Sequence, residues 1–135
     1  MRARKSTSPV RQDDPMLLRV RKLCLSLPET SEATSWGHPN FRAGKRIFVA
    51  FEQIGGVDTI AFHLHPFEVE EREGQAGFTR TPYGQGRWVS LSIRPRPDWK
   101  FIEDLVLRSY RLVAMKRMIS KLDNLASHEG SVSAR

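Results

Sequence analysis

At 135 residues the chain has the length of one domain with one sizeable core, leaving too little for a second of ordinary size. Its 39% hydrophobic and 27% charged composition is that of a soluble globular protein, no apolar run approaches the roughly 18 residues that span a bilayer, and the single cysteine, Cys24, excludes an intrachain disulfide and every multi-cysteine zinc site. The formal charge of +7 points to acidic partners, nucleic acid among them, so its placement along the chain matters more than its total.

Residues 1–12 hold Arg2, Arg4, Lys5 and Arg11, no acid and hardly an apolar side chain, so residues 1–13 are expected to form a disordered basic tail. No apolar segment of the signal-peptide kind follows this basic start, and a soluble cytoplasmic protein is expected. Asp13-Asp14-Pro15 is a helix start, because Asp accepts hydrogen bonds from the first free amides and Pro at the first helical position loses none. The helix is expected to run to about Leu27, with Leu17, Val20, Cys24 and Leu27 as its apolar stripe, and to end at Pro28. In that stripe Cys24 reads as a small core residue rather than a nucleophile.

From Thr30 the character becomes β. Thr34, Trp36 and Gly37 lead to an expected turn at Pro39-Asn40, and Gly44-Lys45 reads as a tight hairpin connection between Phe41-Arg42-Ala43 and residues 47–51. Gly55-Gly56 marks a second hairpin before residues 59–64. Simple alternation places Ile47, Val49 and Phe51 on one face and Ile60, Phe62 and Leu64 on the same face of the next strand. Pro66 with Glu68, Glu70, Glu71 and Glu73 suits a short helix closed by Gly74. Residues 78–86 read as a glycine-bearing loop before a strand over 87–93, with Val89, Leu91 and Ile93 facing the core and Trp88, Ser90 and Ser92 facing away. A stiff linker at 94–97 precedes Asp98, the cap of a single long helix expected from about Trp99 to Lys121. Its buried stripe would be Ile102, Leu105, Val106, Ser109, Leu112 and Val113, with Asp104 and Arg108 paired on the wet side. Residues 123–135 are expected to fray, leaving 14–122 as the folded domain. Strands between terminal helices give an α+β class: an antiparallel sheet with the N- and C-terminal helices packed on one face.

His63 and His65 form an HxH pair, but a metal needs a further ligand and His38 is the only other histidine in the expected domain, so no metal site is assigned. Gly84-Gln85-Gly86 precedes a strand, whereas a phosphate cradle needs glycines after a strand and before a helix. Ser109 and Tyr110 have no local activating base and read as packing residues. No catalytic residue and no cofactor is therefore assigned. The best chemical clue is basic residues interleaved with aromatics. Arg42, Lys45 and Arg46 lie at one hairpin, Arg80, Tyr83 and Arg87 flank the glycine loop, and Trp88 stands on the non-core face. Such residues contact phosphates and stack on bases, although ordinary solubility charge accounts for the same pattern.

Taken together, several motifs resemble the MmcQ/YjbR-like family: Leu27-Pro28-Glu29-Thr30 with Glu32, Trp36-Gly37-His38-Pro39 with Phe41-Arg42, Gly44-Lys45 with Ile47-Phe48, Tyr83 before Trp88-Val89, and Ser109-Tyr110 with Leu112-Val113-Ala114. The resemblance implies a fold like that of CyaY, the bacterial frataxin, with an antiparallel sheet covered on one side by helices. It also implies double-stranded DNA binding through loops or hairpins acting as wings, which places Arg42, Lys45 and Arg46 on one wing and Arg80, Tyr83 and Arg87 on the other. Frataxin-like iron binding does not carry over, since the first helix here bears Arg19, Arg21 and Lys22. The expectation is a monomeric, phosphate-dominated DNA-binding protein with weak sequence preference and no membrane association. Two alternatives stay open: a module for an acidic protein partner, and a small-ligand protein using a pocket between Trp36, Tyr83 and Trp88.

Overall fold

The computed structural model describes residues 11–133 apart from residues 55, 94 and 95, so most of the expected basic tail and half of the expected linker lie outside the described residues. The Asp-Pro start sets helix α1 (Pro15–Leu25): the Asp14 carboxylate accepts from the N–H of Met16 at 2.8 Å and of Leu17 at 3.3 Å. Leu17, Val20, Cys24 and Leu27 are buried as the periodicity predicts.

Four strands follow as an antiparallel meander: β1 (Thr30–Ser35), β2 (His38–Ala43), β3 (Arg46–Ile54) and β4 (Val57–His63). The first turn is not where the prolines suggest. Trp36 and Gly37 make it, both at positive φ (55° and 80°), the hand that matches strand twist, while Pro39 and Asn40 lie within β2 opposite Thr34 and Ala33. The Gly44-Lys45 hairpin is as expected, with Ala43 paired to Arg46.

One irregularity reorganises the faces of the sheet. Phe41 pairs with Val49 but Arg42 pairs with Ile47, so Phe48 is the extra residue of a β-bulge. Phe48 and Val49 both join the core, and Ile47 moves to the opposite face. The simple alternation that grouped Ile47 with Val49 and Phe51 therefore fails at Ile47 and holds for the other two.

After α2 (Pro66–Glu73), β5 (Phe78–Arg80) and β6 (Trp88–Ser92) complete a six-stranded sheet in the order β1-β2-β3-β4-β6-β5. β5 occupies residues expected as loop. It is three residues long, too short to carry an alternating pattern, and it is held by pairing with β6. Val89, Leu91 and Ile93 face the core as expected.

The expected single C-terminal helix is two, α3 (Trp99–Val113) and α4 (Lys116–Ser133), broken at Ala114, whose ψ of 151° is extended. Neither Pro nor Gly sits at the break, so its cause is tertiary. The bend buries Met118 fully and brings Arg117 and Lys121 to Glu29 at 2.7 and 2.9 Å. α4 also continues to Ser133, past the point where fraying was expected. Within α3 the stripe is rotated slightly: Leu112 is exposed and Tyr110 is fully buried. Asp98 caps α3 and Asp104 pairs with Arg108 at 3.2 Å, both as expected.

Tyr110 joins the layers. Its ring meets Phe48 edge-on at 5.6 Å, and its hydroxyl donates to the Pro28 carbonyl at 2.7 Å, tying α3 to the end of the α1 segment. α1 and α3 pack on one face of the sheet. The result is an α+β fold in which none of the described helices covers the opposite face of the sheet.

Hydrogen bonds from Arg117 and Lys121 hold the Glu29 carboxyl at about 2, against an ordinary value of 4.5. A depressed folded-state pKa stabilises the fold fully above the unfolded value and is lost as pH falls through the folded one. Glu29→Gln is therefore expected to lower the thermal midpoint at neutral pH, and its deficit relative to the unmodified protein should close between about pH 4.5 and pH 2. Melting curves across that range check this; a deficit constant down to pH 2 would remove the ion pairs as its cause.

Candidate nucleic-acid interface and adjoining cavity

The helix-free face of the sheet has a low floor. Ala50 pairs with Ala61 and Ala61 with Ser90, giving a cross-strand row of small side chains. Around it stand taller groups from both flanks: Trp36 on the β1–β2 turn, Tyr83 on the β5–β6 connection and Trp88 at the start of β6. They enclose an open cavity of about 920 Å³, also lined by His38, Asn40, Ile47 and Glu52. Ile47 reaches it only because of the bulge at Phe48.

Tyr83 spans β4 to hydrogen-bond the Glu52 carboxylate on β3. Burial and the Glu52 charge push the Tyr83 phenol well above its usual range, so it stays protonated and donates. That occupies Glu52 Oε2 and leaves the buried Oε1 without a partner among the described residues. On β2 the Asn40 amide is committed, donating to Ser35 Oγ at 3.1 Å and accepting from Arg42 Nε at 3.4 Å. His38, 6% exposed, has no partner on either ring nitrogen among the described residues. The cavity thus has aromatic walls and two uncommitted polar groups, His38 and Glu52.

A basic border adjoins it. Arg46 precedes Ile47 and Arg87 precedes Trp88, so two of the cavity's lining residues are each preceded by an arginine. Between them His63 stacks on Trp88 at 5.0 Å. Burial lowers the His63 pKa first, a hydrogen bond with the Ile47 backbone opposes that, and the charges of Arg46 and Arg87 lower it further. Both arginines therefore act on one imidazole, although they come from the two hairpins that sequence placed on separate wings. Arg42 shares the cavity face and Lys45 lies exposed at the hairpin tip. Among the described residues no carboxylate lies within ion-pair distance of Arg42, Lys45, Arg46 or Arg87.

The remaining expected contacts are engaged elsewhere. Arg80 pairs with Glu73 at 2.7 Å, Tyr83 with Glu52, and Trp88 lies between His63 and Tyr83. Much of the basic C-terminal half of the last helical region is also neutralised locally: Arg108 by Glu68 and Asp104, Arg111 by Asp123, and Arg117 and Lys121 by Glu29, while Lys116 has no ion pair among the described residues. His65 caps α2, its Nδ1 accepting from the Phe67 N–H, and its ring stacks on Phe67, so the HxH pair is split between a sheet face and a helix end. Sequence reasoning missed His38 and Glu52. The signal for Glu52 was its alternation with Ala50 on the non-core face; His38 was visible only as part of the Trp36-Gly37-His38-Pro39 motif.

A family model described as YjbR matches residues 25–112. Among solved structures the chain is similar to protein DR2400 of Deinococcus radiodurans, a DUF419-domain protein, at 17% identity and a TM-score of 0.61, covering 77% of this chain and 85% of that one. It is also similar to a protein from Pseudomonas syringae at 15% identity and a TM-score of 0.60, covering 73% and 97% of the two chains. No curated protein matches. Among the described residues no helix is long and apolar enough to cross a membrane.

Gly84 has a φ of 84°, and a Cβ there would lie 2.3 Å from Trp88 Cδ1. Gly84→Ala is therefore expected to displace the indole and to destabilise by about 1–2 kcal/mol from the left-handed backbone alone. Urea unfolding and tryptophan emission read both effects; an unshifted emission maximum with wild-type stability would contradict this packing of Trp88.

Proposed function

The chain belongs to the YjbR family, and with that membership as premise we propose that it is a cytoplasmic, non-enzymatic protein that binds double-stranded nucleic acid mainly through phosphate contacts, with weak sequence preference. The observation that carries this reading is the convergence of Arg46 and Arg87 on His63, with Lys45 and Arg42 beside them and no carboxylate in ion-pair range among the described residues. Unneutralised guanidinium and ammonium groups along one border are what a phosphate backbone engages, and their binding releases counterions. On the helix side, by contrast, Arg108, Arg111, Arg117 and Lys121 are held by acids. Arg80, bound to Glu73, then contributes little, and Tyr83 and Trp88 shape the neighbouring cavity rather than meet the backbone.

A second reading is favoured by one specific feature. The 920 Å³ cavity with aromatic walls and two uncommitted polar groups has the size and lining of a small-ligand site.

Labelled matched duplex titrated at several salt concentrations tests the first reading. Binding is expected to weaken steeply with salt, and the triple substitution Lys45→Ala, Arg46→Ala and Arg87→Ala should flatten the log–log slope by about 0.9 for each phosphate that the variant no longer neutralises. No binding at about 50 mM salt would overturn the reading; an unchanged slope in the triple variant would exclude this border as the DNA-facing surface.

A further inference from the structure

The geometry points to the sheet-face cavity as a binding site for a planar nucleobase that carries an exocyclic amino group, its sugar and phosphate directed toward the Arg46–Arg87 border. The phosphate part of this assignment rests on the border being the nucleic-acid contact surface; the base part rests on the cavity itself.

Three observations select that chemistry. The walls are π-faces: Trp36 is 85% exposed at the rim, and Tyr83 and Trp88 stand across from it with ring centroids 6.4 Å apart. Such surfaces favour a flat ring of any base type. The floor supplies direction. Glu52 Oε1 is an acceptor with no partner, since Tyr83 donates to Oε2, and a buried acceptor is matched by a ligand N–H. The amino groups of adenine, cytosine and guanine provide that donor; thymine and uracil offer only the ring N3–H, which lies between two carbonyl oxygens that a carboxylate repels. His38, buried with both ring nitrogens unpartnered, adds one donor and one acceptor, the complement of a ring edge that alternates the two. Asn40 and Ser35 bond each other and are not needed. Lastly, the basic border selects the charge of what is attached to the ring.

The border also decides against the nearest competitor. Aromatic walls with a carboxylate suit a quaternary ammonium ion. Here, however, Arg46 and Arg87 adjoin the cavity, Arg42 is on its face, and all three repel a cation while attracting a phosphate. The shared ligand chemistry, an amino-bearing nucleobase, has two sources: a free nucleotide, or an unpaired base of a bound strand.

Tryptophan quenching or calorimetry with AMP, CMP, GMP, UMP, TMP and choline, together with duplexes that are fully matched or carry one extrahelical adenine or thymine, tests the inference on the full chain. Amino-bearing nucleotides are expected to bind more tightly than UMP and TMP, or the extrahelical-adenine duplex more tightly than both the matched and the thymine duplex. Trp36→Asn keeps a residue that tolerates the left-handed turn and should weaken this binding about tenfold. Glu52→Gln, nearly isosteric, should erase the preference for amino-bearing bases while the matched-duplex affinity stays unchanged. Choline binding without nucleotide binding, equal binding of all five nucleotides, or insensitivity to both substitutions would overturn the inference. Matched-duplex binding with no preference among nucleotides or among extrahelical bases sinks the inference and leaves the phosphate reading standing. Selective nucleotide binding with no duplex affinity supports the free-nucleotide source and removes the duplex reading.

Discussion

The extra residue in β3 at Phe48 governs both faces of this sheet. A strand that alternates without interruption would send Ile47, Val49 and Phe51 inward together and leave Phe48 outside. The bulge instead sends Phe48 and Val49 inward as neighbours, where Phe48 receives the edge of Tyr110. Tyr110 then fixes α3 against the Pro28 carbonyl, and so the helical layer takes its place from a backbone irregularity on the strand beneath it. The same irregularity turns Ile47 to the other side, where it becomes part of a cavity wall and brings the Arg46 position alongside. Core and candidate site therefore share one cause.

Charge is sorted by the fold in a way its total does not disclose. Of the basic residues on α3 and α4, Arg108, Arg111, Arg117 and Lys121 meet carboxylates from α2, from these helices, or from Glu29 at the start of the sheet. Those ion pairs are mostly exposed, and exposed pairs stabilise weakly; their larger effect is to offset part of the positive charge on the helix side. On the opposite side Arg46 and Arg87, around His63, have no carboxylate in ion-pair range among the described residues. Arg42, Lys45, Arg46 and Arg87 thereby form a basic border beside the cavity that no described carboxylate neutralises.

Much of the architecture was legible from local chemistry. Asp14-Pro15 and Asp98 set helix starts, Gly44 and Gly74 set stops and turns, and the inward residues of β4 and β6 followed from alternation. The errors have identifiable physical sources. Pro39-Asn40 carried the stronger turn signal, yet Trp36-Gly37 took the turn because the β1–β2 register requires two left-handed residues there. The break at Ala114 has no local breaker and follows from burial of Met118 and from the pull of Glu29 on α4. β5 exists only through its partner strand, and no property of three residues announces that.

The sequence by itself determined the α+β class, the family markers, most of the core positions and the list of basic and aromatic residues from which any site must be drawn, because caps, turns and periodicity act within a few residues. Only the tertiary structure decided which of those residues meet. It gave Arg80 and Tyr83, both expected phosphate contacts, a carboxylate partner each, brought Arg46 and Arg87 near one imidazole from two hairpins, and added His38 and Glu52, which no motif had marked as polar partners in a site. Strand register and a single bulge carry that information, and both depend on contacts between residues distant in the chain.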